Sequence, residues 1–248
     1  MVCHYARAVV SVARAWHALT AVLIVAALAV QCHIAVRAPG TPPAHEIGTL
    51  AGASLSGRLL RVASFFTIQS NVLVAVTSGY LAHRPDRDGR IWRVARLDAL
   101  VGITVTGIVY STVLARIHEP SGWEQTSTNA VFHYIAPILA VAGWVLFGPR
   151  PRINRTTILW SLLWPVLWFG YTLLHGAVSE WYPYPFVSVT NHGYGRVLLN
   201  ALAVTAVLAA AAAAFAFGDR RLPATLRRPA PYRTLEYGRS ASSKGDPS

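Results

Sequence analysis

Residues 62–82 read VASFFTIQSNVLVAVTSGYLA. No charge interrupts the run. As a helix rising 1.5 Å per residue it covers about 30 Å, the thickness of a bilayer's hydrocarbon core. Its first half nevertheless carries Ser64, Thr67, Gln69, Ser70 and Asn71. Amide groups in hydrocarbon are costly without partners, so such residues face a bundle interior or a site. The stretch therefore predicts a membrane-spanning helix with a polar face near one end.

Working outward, Trp16–Val36, Leu97–Ala115, Asn129–Phe147, Thr157–Ala177 and Gly195–Phe217 are runs of the same kind. The expected fold is all-α: an integral membrane bundle of six transmembrane helices. The composition agrees, with 54% hydrophobic and 13% charged residues, where a soluble domain carries about 25% charged. Mean hydropathy is +0.41. The alternating ten-residue segments of a membrane barrel are not seen. Residues 1–218 are read as the transmembrane domain. Residues 219–248, rich in Arg, Pro and Ser, are read as a disordered basic cytoplasmic tail. Arg7 and Arg14 precede the first run as in a signal peptide. The run is longer than a signal core and lacks a small-x-small cleavage site, so it is read as a retained helix.

Charge predicts orientation. Of 22 Lys and Arg residues, only Arg37, Arg58, Arg61, Arg116 and Arg196 fall in one set of loops and helix ends. The rest share the side of both termini. The positive-inside rule makes both termini cytoplasmic, in a multi-pass protein of the cell membrane. The net charge of +12 then follows topology and calls for no nucleic acid; the expected partners are membrane lipids. Cys3 and Cys32 fall at opposite ends of the first helix and do not pair.

The polar residues gather at the outer ends. Ser64, Thr67, Asn71 and Ser78 share one helical face. Asn129 and His133 share a face of the fourth helix, followed by Pro137. Trp164, Trp168, Tyr171 and His175 form an aromatic stripe on the fifth. Thr106 and Tyr110 lie on the third, and Arg196 and Asn200 open the sixth. Counted from Val62 and Asn129, Thr67 and His133 both lie about 6–8 Å deep. A Thr hydroxyl needs a base to act as nucleophile, and His is the usual one. The bland alternatives are helix packing for Ser, Thr and the aromatic stripe, and snorkelling for Arg196. Between the fifth and sixth helices, Trp181, Tyr182, Tyr184 and Phe186 alternate with Pro183 and Pro185. This loop reads equally as an interfacial anchor belt or as a lid. No Asp or Glu lies in the outer half of any run, which argues against a carboxylate proton relay or a hard-cation site. Phosphate-loop, zinc and GxSxG patterns do not occur. No cofactor or metal is expected.

Phe66–Thr67 in an amide-rich second helix, His133 at the head of the fourth, and Trp181–Tyr182–Pro183–Tyr184–Pro185–Phe186 before the sixth resemble the androgen-induced-gene family. Its members are six-helix membrane hydrolases of fatty-acid esters of hydroxy fatty acids, and the chain looks like a bacterial relative. The resemblance implies a threonine nucleophile at Thr67 and an essential histidine at His133. It departs from the animal pattern at Ile68–Gln69–Ser70–Asn71, which is more polar. The expected activity is hydrolysis of an amphipathic lipid ester near the outer face. Gln69, Asn71 or Tyr110 would donate to the oxyanion, Asn129 or a backbone carbonyl would orient the His, and His175 and Arg196 would help bind substrate. The alternative is a non-enzymatic carrier or accessory protein that binds a small amphipathic ligand in the same pocket.

Overall fold

The computed structural model describes residues 2–39 and 47–224, with side chains from Arg7 onward. The tail from residue 225 and the Cys3 side chain lie outside the described residues. All regular structure among the described residues is helical. Five helical segments are long and apolar enough to cross a membrane: Arg7–Arg37, Arg90–Arg116, Gly122–Phe147, Arg155–Ser179 and Val189–Arg221. A bent pair, Leu55–Ser64 and Phe66–His83, whose axes meet at 74°, passes the same test together and counts as a sixth if the pair is one span. The bundle is therefore an all-α membrane fold. Its exterior is apolar, with Val22, Leu159, Val166 and Leu202 at least 65% exposed. Ser70, Asn71, Thr77 and Ser78 are buried inside. That inversion of the soluble pattern suits a lipid surround.

In chain order the helices are α1 (Val2–Arg37), α2 (Leu55–Ser64), α3 (Phe66–His83), α4 (Arg90–Thr112), α5 (Gly122–Ala130), α6 (Ala136–Phe147), α7 (Arg155–Ser161), α8 (Leu163–Ser179) and α9 (Val189–Arg221). A π turn, Val131–Ile135, joins α5 to α6. Helices α3 and α4 lie at the centre. Val74, Leu97, Leu100 and Ile103 pack there against Ile24, Ala136, Ala140, Leu208 and Phe215. The small Ala136 and Ala140 let α6 approach closely, where van der Waals packing must replace the hydrophobic effect.

The run 62–82 is not one helix, contrary to the expectation. It breaks at Phe65, whose backbone is extended at φ −68° and ψ 128°. Neither Pro nor Gly causes the break. Side chains hold it by occupying the backbone groups it frees. Gln69 Nε2 donates to Ala63 O at 3.0 Å. Trp168 Nε1 donates to Ser64 O at 2.9 Å. The Thr67 N–H donates to the Tyr184 hydroxyl at 3.0 Å. Upstream, α2 is an amphipathic helix with Leu55, Leu59 and Leu60 exposed. Its Arg58 Nη1 donates to the Ala35, Val36 and Ala38 carbonyls at the end of α1. Its Arg61 Nη1 donates to Thr49 O and Ala51 O.

Two ends of the bundle can be told apart by their contacts. Arg14 Nη2 donates to His83 O at 2.8 Å, tying the start of α1 to the end of α3. Asp219 Oδ2 accepts the N–H groups of Arg152 and Ile153 at 2.5 and 2.7 Å, tying the end of α9 to the α6–α7 connection. Both ends of the described chain thus share one end of the bundle. Thr67 lies at the other.

Candidate functional site

Thr67 is the second residue of α3, directly after the break. The five-residue depth inferred from a helix starting at Val62 is therefore corrected: Thr67 sits in the first turn of the crossing. His133 lies farther into its own segment than inferred, because that segment starts at Gly122 rather than Asn129. The two still meet. Thr67 Oγ1 lies 3.5 Å from His133 Nε2.

The π turn presents the His. Its wider register joins the Ala136 N–H to Val131 O. In that register the partner of Phe132 O would be residue 137, a proline with no N–H. The donor comes instead from α3: Asn71 Nδ2 reaches Phe132 O at 3.3 Å and Thr67 O at 2.9 Å. One amide therefore ties the threonine turn to the histidine turn. Gly107 on α4 lets the bulged backbone approach, since a Cβ there would stand 3.3 Å from His133 O.

The third member of the site is Tyr184. Its hydroxyl lies 3.1 Å from Thr67 Oγ1 and accepts the Thr67 N–H. Sequence reading assigned Tyr184 only to the aromatic loop. The visible signal was the Pro-flanked Trp181–Phe186 pattern, which did not tell a belt from a lid. In the fold, Trp181, Tyr182 and Tyr184 are buried, 5–7% exposed. The loop plugs the bundle mouth. Gly176 makes room for it, because a Cβ at that position would overlap the Tyr182 ring. Tyr184 packs edge-on to Phe65 and parallel to Phe186.

The hydrogens can be assigned by elimination. His133 Nδ1 lies 3.1 Å from Asn129 O, and a carbonyl only accepts, so Nδ1 carries the proton. In the neutral imidazole Nε2 is then a lone-pair acceptor facing the Thr67 hydroxyl. The Tyr184 oxygen accepts from the Thr67 amide and its O–H donates to Oγ1. Burial pushes the Tyr184 phenol up to about 12, so it stays protonated. The sequence Tyr184 O–H, Thr67 O–H, His133, Asn129 O forms one directed chain of donors. Tyr110 supports it from the side, its ring stacked on His133 at 3.8 Å between centroids.

The remaining residues read as site candidates are placed elsewhere or used differently. Gln69 spends both ends on structure, donating to Ala63 O and accepting from Trp164 Nε1 at 2.9 Å. Asn71 is engaged with two carbonyls, and its Oδ1 is buried without a hydrogen-bond partner among the described residues. His175 stacks on Tyr171 and meets the edge of Trp181. Tyr171 itself hydrogen-bonds Ser64 at 2.7 Å. Arg196 is exposed at the start of α9, whereas Asn200 binds Phe186 O at 2.9 Å and fastens the plug loop.

An apolar cavity of about 170 Å³ leads away from the pair. Thr67 and Tyr184 line it with Phe66, Val105, Val109, Trp168, Phe169, Val204 and Leu208. Thr106 also lines it, its Oγ1 buried and without a hydrogen-bond partner among the described residues. Its wall includes Val166 on α8 and Thr205 on α9, both exposed on the bundle flank. The cavity therefore reaches the lipid-facing surface between α8 and α9. No protein-family model, curated protein or solved structure matches this chain.

Proposed function

We propose that this membrane protein is a threonine-dependent hydrolase of lipid esters, a bacterial relative of the androgen-induced-gene family. The observation that carries the reading is the donor chain from Tyr184 through Thr67 and His133 to Asn129 O. An ester carbonyl carbon is attacked by Thr67 Oγ1 while His133 Nε2 removes the hydroxyl proton. The same proton passes to the departing alkoxide, leaving an acyl-threonine. Water, deprotonated by His133, then releases the acid and restores the hydroxyl. The developing oxyanion is served by the Tyr184 O–H and by N–H groups of the first turn of α3, where the helix dipole also favours negative charge. Its acyl chain lies in the apolar cavity and enters sideways from the bilayer between α8 and α9. The cation distribution supports a site on the outer face, with both termini in the cytoplasm.

The 3.5 Å between Oγ1 and Nε2 is long for a hydrogen bond. Catalytic bonds of this kind tighten when substrate arrives. The test is hydrolysis of a p-nitrophenyl acyl ester and of a branched fatty-acid ester by the full chain in detergent. Wild type should turn over at least one ester and Thr67→Ala neither. Equal rates for folded wild type and Thr67→Ala would leave the carrier reading in possession of the same pocket.

A further inference from the structure

A second cavity, about 50 Å³, lies at the opposite end of the bundle, lined by His17, Trp92, Arg93, Arg96, Trp144 and Arg152 among others. One water needs about 10–15 Å³ by this measure, so there is room for a few waters or one compact oxyanion. The carboxylates nearest to it are engaged with groups other than Arg96. Asp88 is held by Arg93 through two bonds of 2.7 and 2.8 Å and lies 3.8 Å from Arg152 Nε. Asp219 Oδ2 is taken by two backbone N–H groups. Arg96 has one hydrogen bond, from Nη1 to Thr77 Oγ1 at 3.2 Å. Among the described residues no carboxylate lies within 4.0 Å of its guanidinium. His17, only 4% exposed, lines the same cavity.

A cation inside a crossing helix is costly without a partner of opposite charge. The depth of Arg96 says where that partner comes from. The segment Arg90–Arg116 has 27 residues, about 40 Å of helix, roughly 10 Å more than the hydrocarbon. Arg90 and Arg93 draw that excess to this end. Arg96 lies about 9 Å along the helix from Arg90, near the end of the segment that also carries Arg93. The rest of the cavity wall is largely apolar, with Leu81, Leu97, Leu100, Trp144 and Phe147, and includes the Asp219 carboxylate whose Oδ2 is already taken by two backbone N–H groups. A phosphate with hydrocarbon attached fits a wall that combines guanidinium groups with apolar side chains.

We propose that Arg96 and His17 form a phosphate-binding site at the end of the bundle that holds the termini, distinct from the Thr67 site. The ligand is a phosphate group, carried by an anionic phospholipid of that leaflet or free in solution. The guanidinium supplies paired N–H donors suited to phosphate oxygens, and His17 supplies a further one.

The full chain, delipidated in detergent, is titrated with phosphatidylglycerol and separately with inorganic phosphate. Binding is read by native mass spectrometry and by the rise in Tm that a ligand of the folded state produces. Wild type should retain one phosphatidylglycerol per chain. Arg96→Gln should weaken it about tenfold or more, the loss of one charge-assisted pair. Arg155→Gln, on the exposed start of α7 outside the cavity, should leave it unchanged. A response to inorganic phosphate alone assigns the site to free phosphate; a response to the lipid alone assigns it to the headgroup. If Arg96→Gln fails to fold, His17→Asn gives the same comparison. Retention and Tm response equal to wild type in the folded variant would overturn the proposal and leave Arg96 as a snorkelling side chain.

Discussion

The Tyr184 hydroxyl stands 3.1 Å from Thr67 Oγ1 and 3.0 Å from the Thr67 amide nitrogen. One phenol therefore touches both the proposed nucleophile and the backbone donor beside it. Tyr184→Phe keeps the ring that packs on Phe65 and Phe186 and removes only the oxygen. Ester turnover by this variant should fall about 100-fold, the usual cost of one oxyanion donor. The loss should lie in kcat rather than KM, read from steady-state kinetics in detergent. An unchanged kcat would reduce Tyr184 to a packing residue.

Thr67 and His133 should behave as one unit. Thr67→Ala and His133→Ala should each abolish turnover, and the double variant should lose little more, because residues acting together are non-additive. Thr67→Ser should keep part of the rate, since the hydroxyl survives while the methyl that restricts its rotamer is lost. His175→Ala should be milder, as that ring packs on Tyr171 and Trp181. Additive losses in the double variant would argue that the two side chains work separately.

Asn71 binds Thr67 O and Phe132 O without touching the proposed reacting atoms. Asn71→Leu, of similar size, leaves the Phe132 carbonyl buried and unpaired. It should destabilise the fold by about 1–3 kcal/mol, seen as a lower Tm. Activity should fall further than Tm alone explains, because the threonine and histidine turns lose their tie. A folded Asn71→Leu variant with wild-type kcat would show that the π turn holds His133 unaided.

Orientation is open to a direct test. Alkaline phosphatase fused after Arg221 should be silent, and fused after Glu180 active, if both termini are cytoplasmic. The reverse pattern would move the Thr67 site to the cytoplasmic face and the Arg96 cavity to the outer one.

Hydrophobic runs and the low charge content were enough to read the fold class. Both reflect the free energy of single residues in hydrocarbon, which depends little on neighbours. The residue types at Thr67 and His133 were legible for the same reason, as polar groups in apolar surroundings. Their contact, the break at Phe65 and the π turn at His133 were decided by tertiary structure. No Pro or Gly marks Phe65; the break exists because Gln69, Trp168 and Tyr184, from three separate elements, take up the hydrogen bonds it frees. Gln69 and Asn71 looked like oxyanion donors in the sequence because an amide in a membrane helix must bond something. Only the packed bundle selected backbone carbonyls as that something. Tyr184, some 117 positions from Thr67 along the chain, could be brought to the site only by the fold. Pairing over such a separation depends on loop path and packing, which no local pattern encodes.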